Sequence, residues 1–451
     1  MTERSLIIKH ALTVLAGQLA VVSFGVADTV IAGRYDPQAL AILSVSAAIY
    51  ISVYVALLGI VQALLPLFAE LHGAKRDGDI GPTFRQGVYL WFGLTMLGAA
   101  LLLSPRLLLQ WTNVPEHLQA ETISYLAILA LALPPALFFR LFSALSQSLG
   151  KPKLVTAIQL AALFLKIPLS IALAFGYGPW PPLGLTGCAL ATVGVNFAMM
   201  AIAVWLLKSN PTYQTCHIWR KLEAPDAKVL MNMCRLGLPN GLSVTVEVTS
   251  FTLMALFISR LGITAAASHQ VASNMAALLY MVPLSFSIAI SARISFWKGA
   301  GNDVMMRQAL KHGFQVTMLL ALCLSCLLWV FHQTIANIYA KDEAVAQMAG
   351  QLLILIGFYH LVDALQTLCF FILRSFKVTL APAFVYSFVL WGVGLAGGFQ
   401  LAYEGLGPFE AMNSPEAFWL MNSLGLVLVS MCLLWLIQYH LQQSVQSTPR
   451  D

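Results

Sequence analysis

Apolar residues fill this chain in long blocks broken by short polar turns. Each block is long enough to cross a bilayer, which takes about 20 mainly apolar residues in a helix. Hydropathy predicts twelve such spans, at roughly 7–32, 40–68, 84–109, 120–147, 154–176, 184–207, 236–259, 264–294, 311–333, 347–373, 379–402 and 417–439. Most connections are short. Two longer polar stretches stand out, Pro211–Lys228 between the sixth and seventh spans and Glu404–Glu416 between the last two. The first reads as a solvated cytoplasmic linker and the second as an outer loop. The first span is too long for the apolar core of a cleaved signal peptide and is followed by eleven more.

Composition sharpens this picture. The chain is 59% hydrophobic and 10% charged, whereas a soluble domain carries about a quarter charged residues. The class is therefore an all-α polytopic membrane protein, with the lipid bilayer as its surroundings. Its formal charge of +6 reflects topology, not nucleic-acid binding. With both termini cytoplasmic, nineteen of the 25 Lys and Arg fall in inner segments, Arg450 among them. Arg34, Arg106, Arg260 and Lys341 are outer, and Arg140 and Lys166 lie within spans. That is the bias expected of an inner-membrane protein. The seven cysteines form no disulfide framework, and Cys323 and Cys326 read as packing residues in an apolar run.

The two halves repeat. A shift of 226 places Gly73-Ala74 on Gly299-Ala300, Asp77 on Asp303, Arg85-Gln86-Gly87 on Lys311-His312-Gly313 and Lys151 on Lys377. Six spans per half make the repeat parallel, about an axis along the membrane normal. Expected domains are an N-terminal lobe at 1–208, a linker at 209–235 and a C-terminal lobe at 236–451.

Of 19 acidic residues, Asp28, Glu247 and Asp363 lie well inside spans. Ionisable side chains at that depth are expensive and mark ion or substrate paths. Glu247 and Asp363 fall near mid-span, so they can meet; two carboxylates repel in a medium of low dielectric constant, and a bound cation or proton relieves that. Tyr359, one helical turn before Asp363, can share its face. In the other half, Lys166 needs an anionic neighbour or must shed its proton. Asp28 lies at the right depth to pair with it and would then be held ionised. Arg140, near the end of its span, is expected to reach the cytoplasmic rim by snorkelling.

Several stretches resemble the multidrug and toxic compound extrusion (MATE) transporters, the NorM-like branch in particular. They are Gly25–Gly33, Leu65–Arg76, Ser148–Lys153 and Gly184–Thr192 in the first half. In the second they are Glu247–Phe251, Ala266–Asn274, Met281–Ile294 and Tyr359–Thr379. The resemblance implies a V-shaped transporter of two six-helix lobes that exports bulky, often cationic organic compounds against entry of Na⁺ or H⁺. It makes Glu247, Tyr359 and Asp363 the coupling-cation group, with Na⁺ as the metal on the two carboxylates. It makes Asp28 the acidic residue of the first helix. Where the family's fifth helix usually reads Asn-Ile-Pro-Leu-Asn, this chain has Lys166-Ile-Pro-Leu-Ser170, and Thr13 stands where the first helix usually has a proline.

Together these features describe a monomeric antiporter of small organic substrates, not an enzyme, with no cofactor beyond the coupling ion. A flippase of lipid-linked precursors is the alternative of related architecture. A central cavity rich in basic residues would favour it, and only Lys166 and Arg140 could supply one.

Overall fold

A computed structural model of the protein describes residues 2–104, 116–177 and 181–446. Arg106, Arg450 and the end of the third predicted span lie outside the described residues. Among the described residues, twelve spans are long and apolar enough to cross a membrane. In chain order, span 1 is α1 (Glu3–Tyr35), and span 2 is built of α2 (Pro37–Gln62) and α3 (Leu64–Gly73). Spans 3 to 6 are α4 (Asp77–Leu103), α5 (Glu116–Ser148), α6 (Pro152–Phe175) and α7 (Leu185–Ser209). The short α8 (Pro211–Gln214) follows. Spans 7 to 10 are α9 (Ala227–Ser259), α10 (Ile263–Gly299), α11 (Asp303–Tyr339) and α12 (Glu343–Ser375). Span 11 breaks into α13 (Leu380–Phe388), a π-helical segment (Val389–Ala396) and α14 (Gly397–Tyr403). Span 12 is α15 (Glu416–Gln446).

Several helices outrun their hydropathy limits. α11 begins at Asp303 rather than near 311, because Asn302 caps it, its side chain accepting from Met305 N at 3.0 Å, and Asp303 sits in the first turn. Such caps and first-turn acids satisfy free N–H groups and oppose the helix dipole, so the helix continues after the apolar stretch ends. Hydropathy registers only the apolar part. α1 is unbroken over 33 residues, and Thr13 returns a hydrogen bond to the Lys9 carbonyl at 2.7 Å.

The chain forms two compact units. One comprises residues 2–15, 242–295 and 302–446; the other comprises Ala16–Gly241 with Phe296–Gly301. In the first, α12 packs on α11 and α15. In the second, α5 packs on α2, α4 and α7 around Leu133, Leu137, Leu141 and Phe142. There the 226-residue repeat becomes physical. Gly73 lies against the carbonyl of Phe296, and Gly299 lies against the carbonyl of Glu70, so a methyl group on either glycine would overlap backbone. The same shift that carries Gly73 to Gly299 carries Glu70 to Phe296.

The stretch at 210–226 departs from the expected solvated linker. Tyr213, Cys216 and Ile218 are buried, and the Tyr213 hydroxyl bonds Ser146 at 2.7 Å. Arg85 donates to the carbonyls of His217 (2.8 Å) and Ile218 (3.3 Å) and pairs with Glu223 at 2.5 Å. Gln86 donates to Ala224 O and accepts from Asp226 N, and Tyr89 donates to Glu223 O. Three apolar side chains among many polar ones leave no periodic signal in the sequence, yet they are enough to dock the stretch.

Candidate functional site: two intramembrane charge centres

The first centre lies in the unit built from the later helices. Asp363 of α12 is 2% exposed, and Gln366 one turn on is 1% exposed. The Gln366 amide nitrogen donates to Asp363 Oδ1 at 2.9 Å and to Thr367 Oγ1 at 3.1 Å. Glu247 of α9 lies within electrostatic reach of the same amide. The Gln366 carbonyl oxygen accepts from the hydroxyl of Tyr386 on α13. One amide therefore holds Asp363, lies near Glu247, and is itself fixed by a tyrosine. Glu247 and Asp363 are within electrostatic reach of each other. No ion pair to either carboxylate occurs among the described residues.

Tyr359 is 4% exposed and within electrostatic reach of both acids. Its ring packs edge-on to Trp419, centroids 5.3 Å apart, and to Phe251 at 6.1 Å. Phe251 and Trp419 also meet, at 5.9 Å. The acids thus border an aromatic cluster, and among the described residues Tyr359 forms no hydrogen bond to either carboxylate. Rings at this spacing contribute apolar walls that strengthen electrostatic interactions beside them.

The second centre lies in the other unit. Lys166 of α6 is 0% exposed, and its Nζ stands 2.8 Å from Asp28 Oδ1 on α1. It also donates to Cys188 O at 3.1 Å and to Thr192 Oγ1 at 2.6 Å, both on α7. The buried Ser170 hydroxyl faces the same carboxylate. Lys166 and Ser170 are four residues apart and so share one face of α6.

Other charges sit where the sequence reading does not place them. Arg140 of α5 does not snorkel. It is 7% exposed, donates Nε to the Tyr54 hydroxyl at 2.7 Å, and lies 5.9 Å from the centre of that ring. Tyr54 supplies an oxygen and an aromatic face at depth, and Tyr50 stacks on it at 5.8 Å. Arg374, one residue past the predicted span 347–373, is 2% exposed with its guanidinium 4.0 Å from the Phe371 ring centre. Arg293 makes two 2.6 Å bonds to Glu3. Gln366 and Tyr386 were absent from the candidate residues. Gln366 follows Asp363 at helical spacing, which the sequence displays; Tyr386, on another helix, leaves no such sign.

Twelve candidate spans with two intramembrane charge centres define an integral membrane protein of the polytopic class. The MatE family profile matches residues 14–172 and 239–399, and the chain belongs to that family. It is 36% identical over 440 residues to a probable multidrug resistance protein NorM of Aromatoleum aromaticum, covering 97% of this chain and 95% of that one. It is 30% identical over 442 residues to the multidrug resistance protein MdtK of Yersinia pseudotuberculosis, covering 97% and 96%. Among solved structures, the Vibrio cholerae MATE transporter VcmN superposes with a TM-score of 0.87 at 16% identity, covering 98% of this chain and 97% of that one. The eukaryotic MATE transporter AtDTX14 does so at 0.86 and 17%, covering 96% and 95%. The two structural likenesses agree on the fold, and no strand occurs among the described residues.

Proposed function

We propose that this protein is a cation-coupled antiporter that exports small organic, mainly cationic compounds across the cytoplasmic membrane, with both termini on the cytoplasmic side. Entry of Na⁺ or H⁺ drives export. Glu247 and Asp363 take the coupling ion, and Tyr359 walls the site. The observation that carries this reading is the proximity of two intramembrane carboxylates, Glu247 and Asp363, with no ion pair to either among the described residues. Two negative charges at such depth are strongly unfavourable unless a cation or proton joins them. An exchangeable ion meets that need, and the relatives' multidrug resistance names supply the substrate class. Coupling then follows from linkage, because ion and substrate each alter the other's binding free energy.

The test uses purified protein in vesicles, a fluorescent organic cation, and Na⁺ and H⁺ gradients imposed separately. Efflux should follow one gradient and stop in Glu247→Gln and in Asp363→Asn, with both variants still folded. Full gradient-driven efflux in the double variant would refute the assignment.

A further inference from the structure

We infer that Lys166 is the built-in occupant of a cation site. Its ammonium fills the place beside Asp28 that a proton, a small metal cation or an alkylammonium would otherwise take, so this carboxylate exchanges no cation. The argument is one of placement and charge balance. The Cys188 carbonyl can only accept, so Lys166 Nζ donates to it across 3.1 Å. Thr192 gives its own hydroxyl proton to that same carbonyl at 2.9 Å, so at 2.6 Å it accepts from Lys166. Asp28 Oδ1 stands 2.8 Å from the same nitrogen, at ion-pair distance. With two N–H groups donated on α7, the ammonium form keeps a third positive N–H for the carboxylate beside it. A charged lysine with no exposed surface must be balanced, and the ionised Asp28 balances it.

The surroundings agree. Asp28 comes from α1, Lys166 and Ser170 from α6, Cys188 and Thr192 from α7, and Tyr125 approaches the carboxylate from α5. Asp28 and Lys166 are the only two of these that carry charge in this arrangement, and they cancel. A free cation would have to displace a group tethered through its own backbone, and a tether holds its group at an effective concentration of about millimolar or above. The contrast with the Glu247–Asp363 centre is direct: there, among the described residues, no ion pair reaches either carboxylate. This inference rests on the proposed antiport only for its consequence, that ion exchange falls to Glu247 and Asp363 alone.

Thermal stability of the purified protein in ethylammonium chloride, against sodium chloride at equal ionic strength, tests the occupant directly. The unaltered protein should show no ethylammonium effect that depends on Asp28. Lys166→Ala should melt lower and be restored by ethylammonium, at a concentration at least about tenfold below that needed by Lys166→Ala with Asp28→Asn. Stabilisation of the unaltered protein that disappears in Asp28→Asn would overturn the inference, and so would a Lys166→Ala protein indifferent to ethylammonium. Should Lys166→Ala not fold, Lys166→Ser replaces it, and the arm on the unaltered protein needs no change at 166. The readout is stability, so failure of the antiport reading would register in the efflux assay and leave this result intact.

Discussion

Gly73 and Gly299 are each other's image: each seats the carbonyl of the residue three positions before the other. Backbone sits where a side chain would begin, and backbone cannot turn aside as a flexible side chain can. Gly73→Ala and Gly299→Ala should therefore both destabilise, by about 1–3 kcal/mol each as overpacked sites do. Melting of the detergent-solubilised protein checks this. A drop confined to one of the two variants would show that the contact is not reciprocal in energy.

Gln366→Leu, close in size but without the amide, should cut ion-coupled efflux by about tenfold or more, as loss of a positioning hydrogen bond at a reacting centre does. It should also change the ion concentration for half-maximal efflux. Tyr386→Phe keeps the amide and loses only its anchor, so the effect should have the same direction and be smaller. Ion-dependent efflux in vesicles measures both, and equal behaviour of Gln366→Leu and the unaltered protein would remove the amide from the site.

Breaking the Glu3–Arg293 pair from one side should be harsher than removing it whole. Glu3 is 5% exposed in its side chain and Arg293 21%, and a buried charge stripped of its partner costs about 3–5 kcal/mol. Glu3→Gln and Arg293→Met should each lower the melting temperature markedly. The double variant should lose less than the two single losses combined, and a double-mutant cycle reads the difference. Additive losses would mean that the two side chains act independently.

The docked stretch after α7 offers a chemical readout. Burial pushes the Cys216 thiol up to about 11. The thiolate is the reactive form, so labelling of Cys216 should be slow near neutral pH and rise about tenfold per pH unit until pH approaches that value. Arg85→Met should speed labelling and expose the stretch to added protease, because Arg85 also holds two carbonyls. Glu223→Gln should do little, its side chain being 50% exposed. Mass spectrometry of labelled peptides distinguishes Cys216 from the other thiols.

Charge in an apolar span is the most legible feature of such a sequence, and depth can be counted from either end. Asp28 with Lys166, and Glu247 with Asp363, could therefore be brought together before any coordinates. Neutral polar residues are less visible, because a glutamine or tyrosine in a span is common and its partner lies on another helix; Gln366 and Tyr386 were missed for that reason. Arg140 was misplaced because snorkelling considers only the distance to water, whereas Tyr54 brings a polar atom to the arginine. Arg374 falls one residue past the predicted span 347–373, and Arg85 and Arg293 fall at the very ends of 84–109 and 264–294; in each case the helix runs beyond those limits.

The π-helical segment Val389–Ala396 has a bearing on length variation in this chain. Such turns close one residue later than α-turns, and they accommodate an additional residue without displacing the helix on either side. Gly392, with open space where a side chain would begin, is a place where a single deletion should be absorbed, the span closing into α-helix while α13 and α14 keep the faces they turn to α15. The same deletion in the uninterrupted α12 would rotate everything beyond it by about 100°, since an α-turn takes 3.6 residues, and would carry Asp363 or its neighbours off their face.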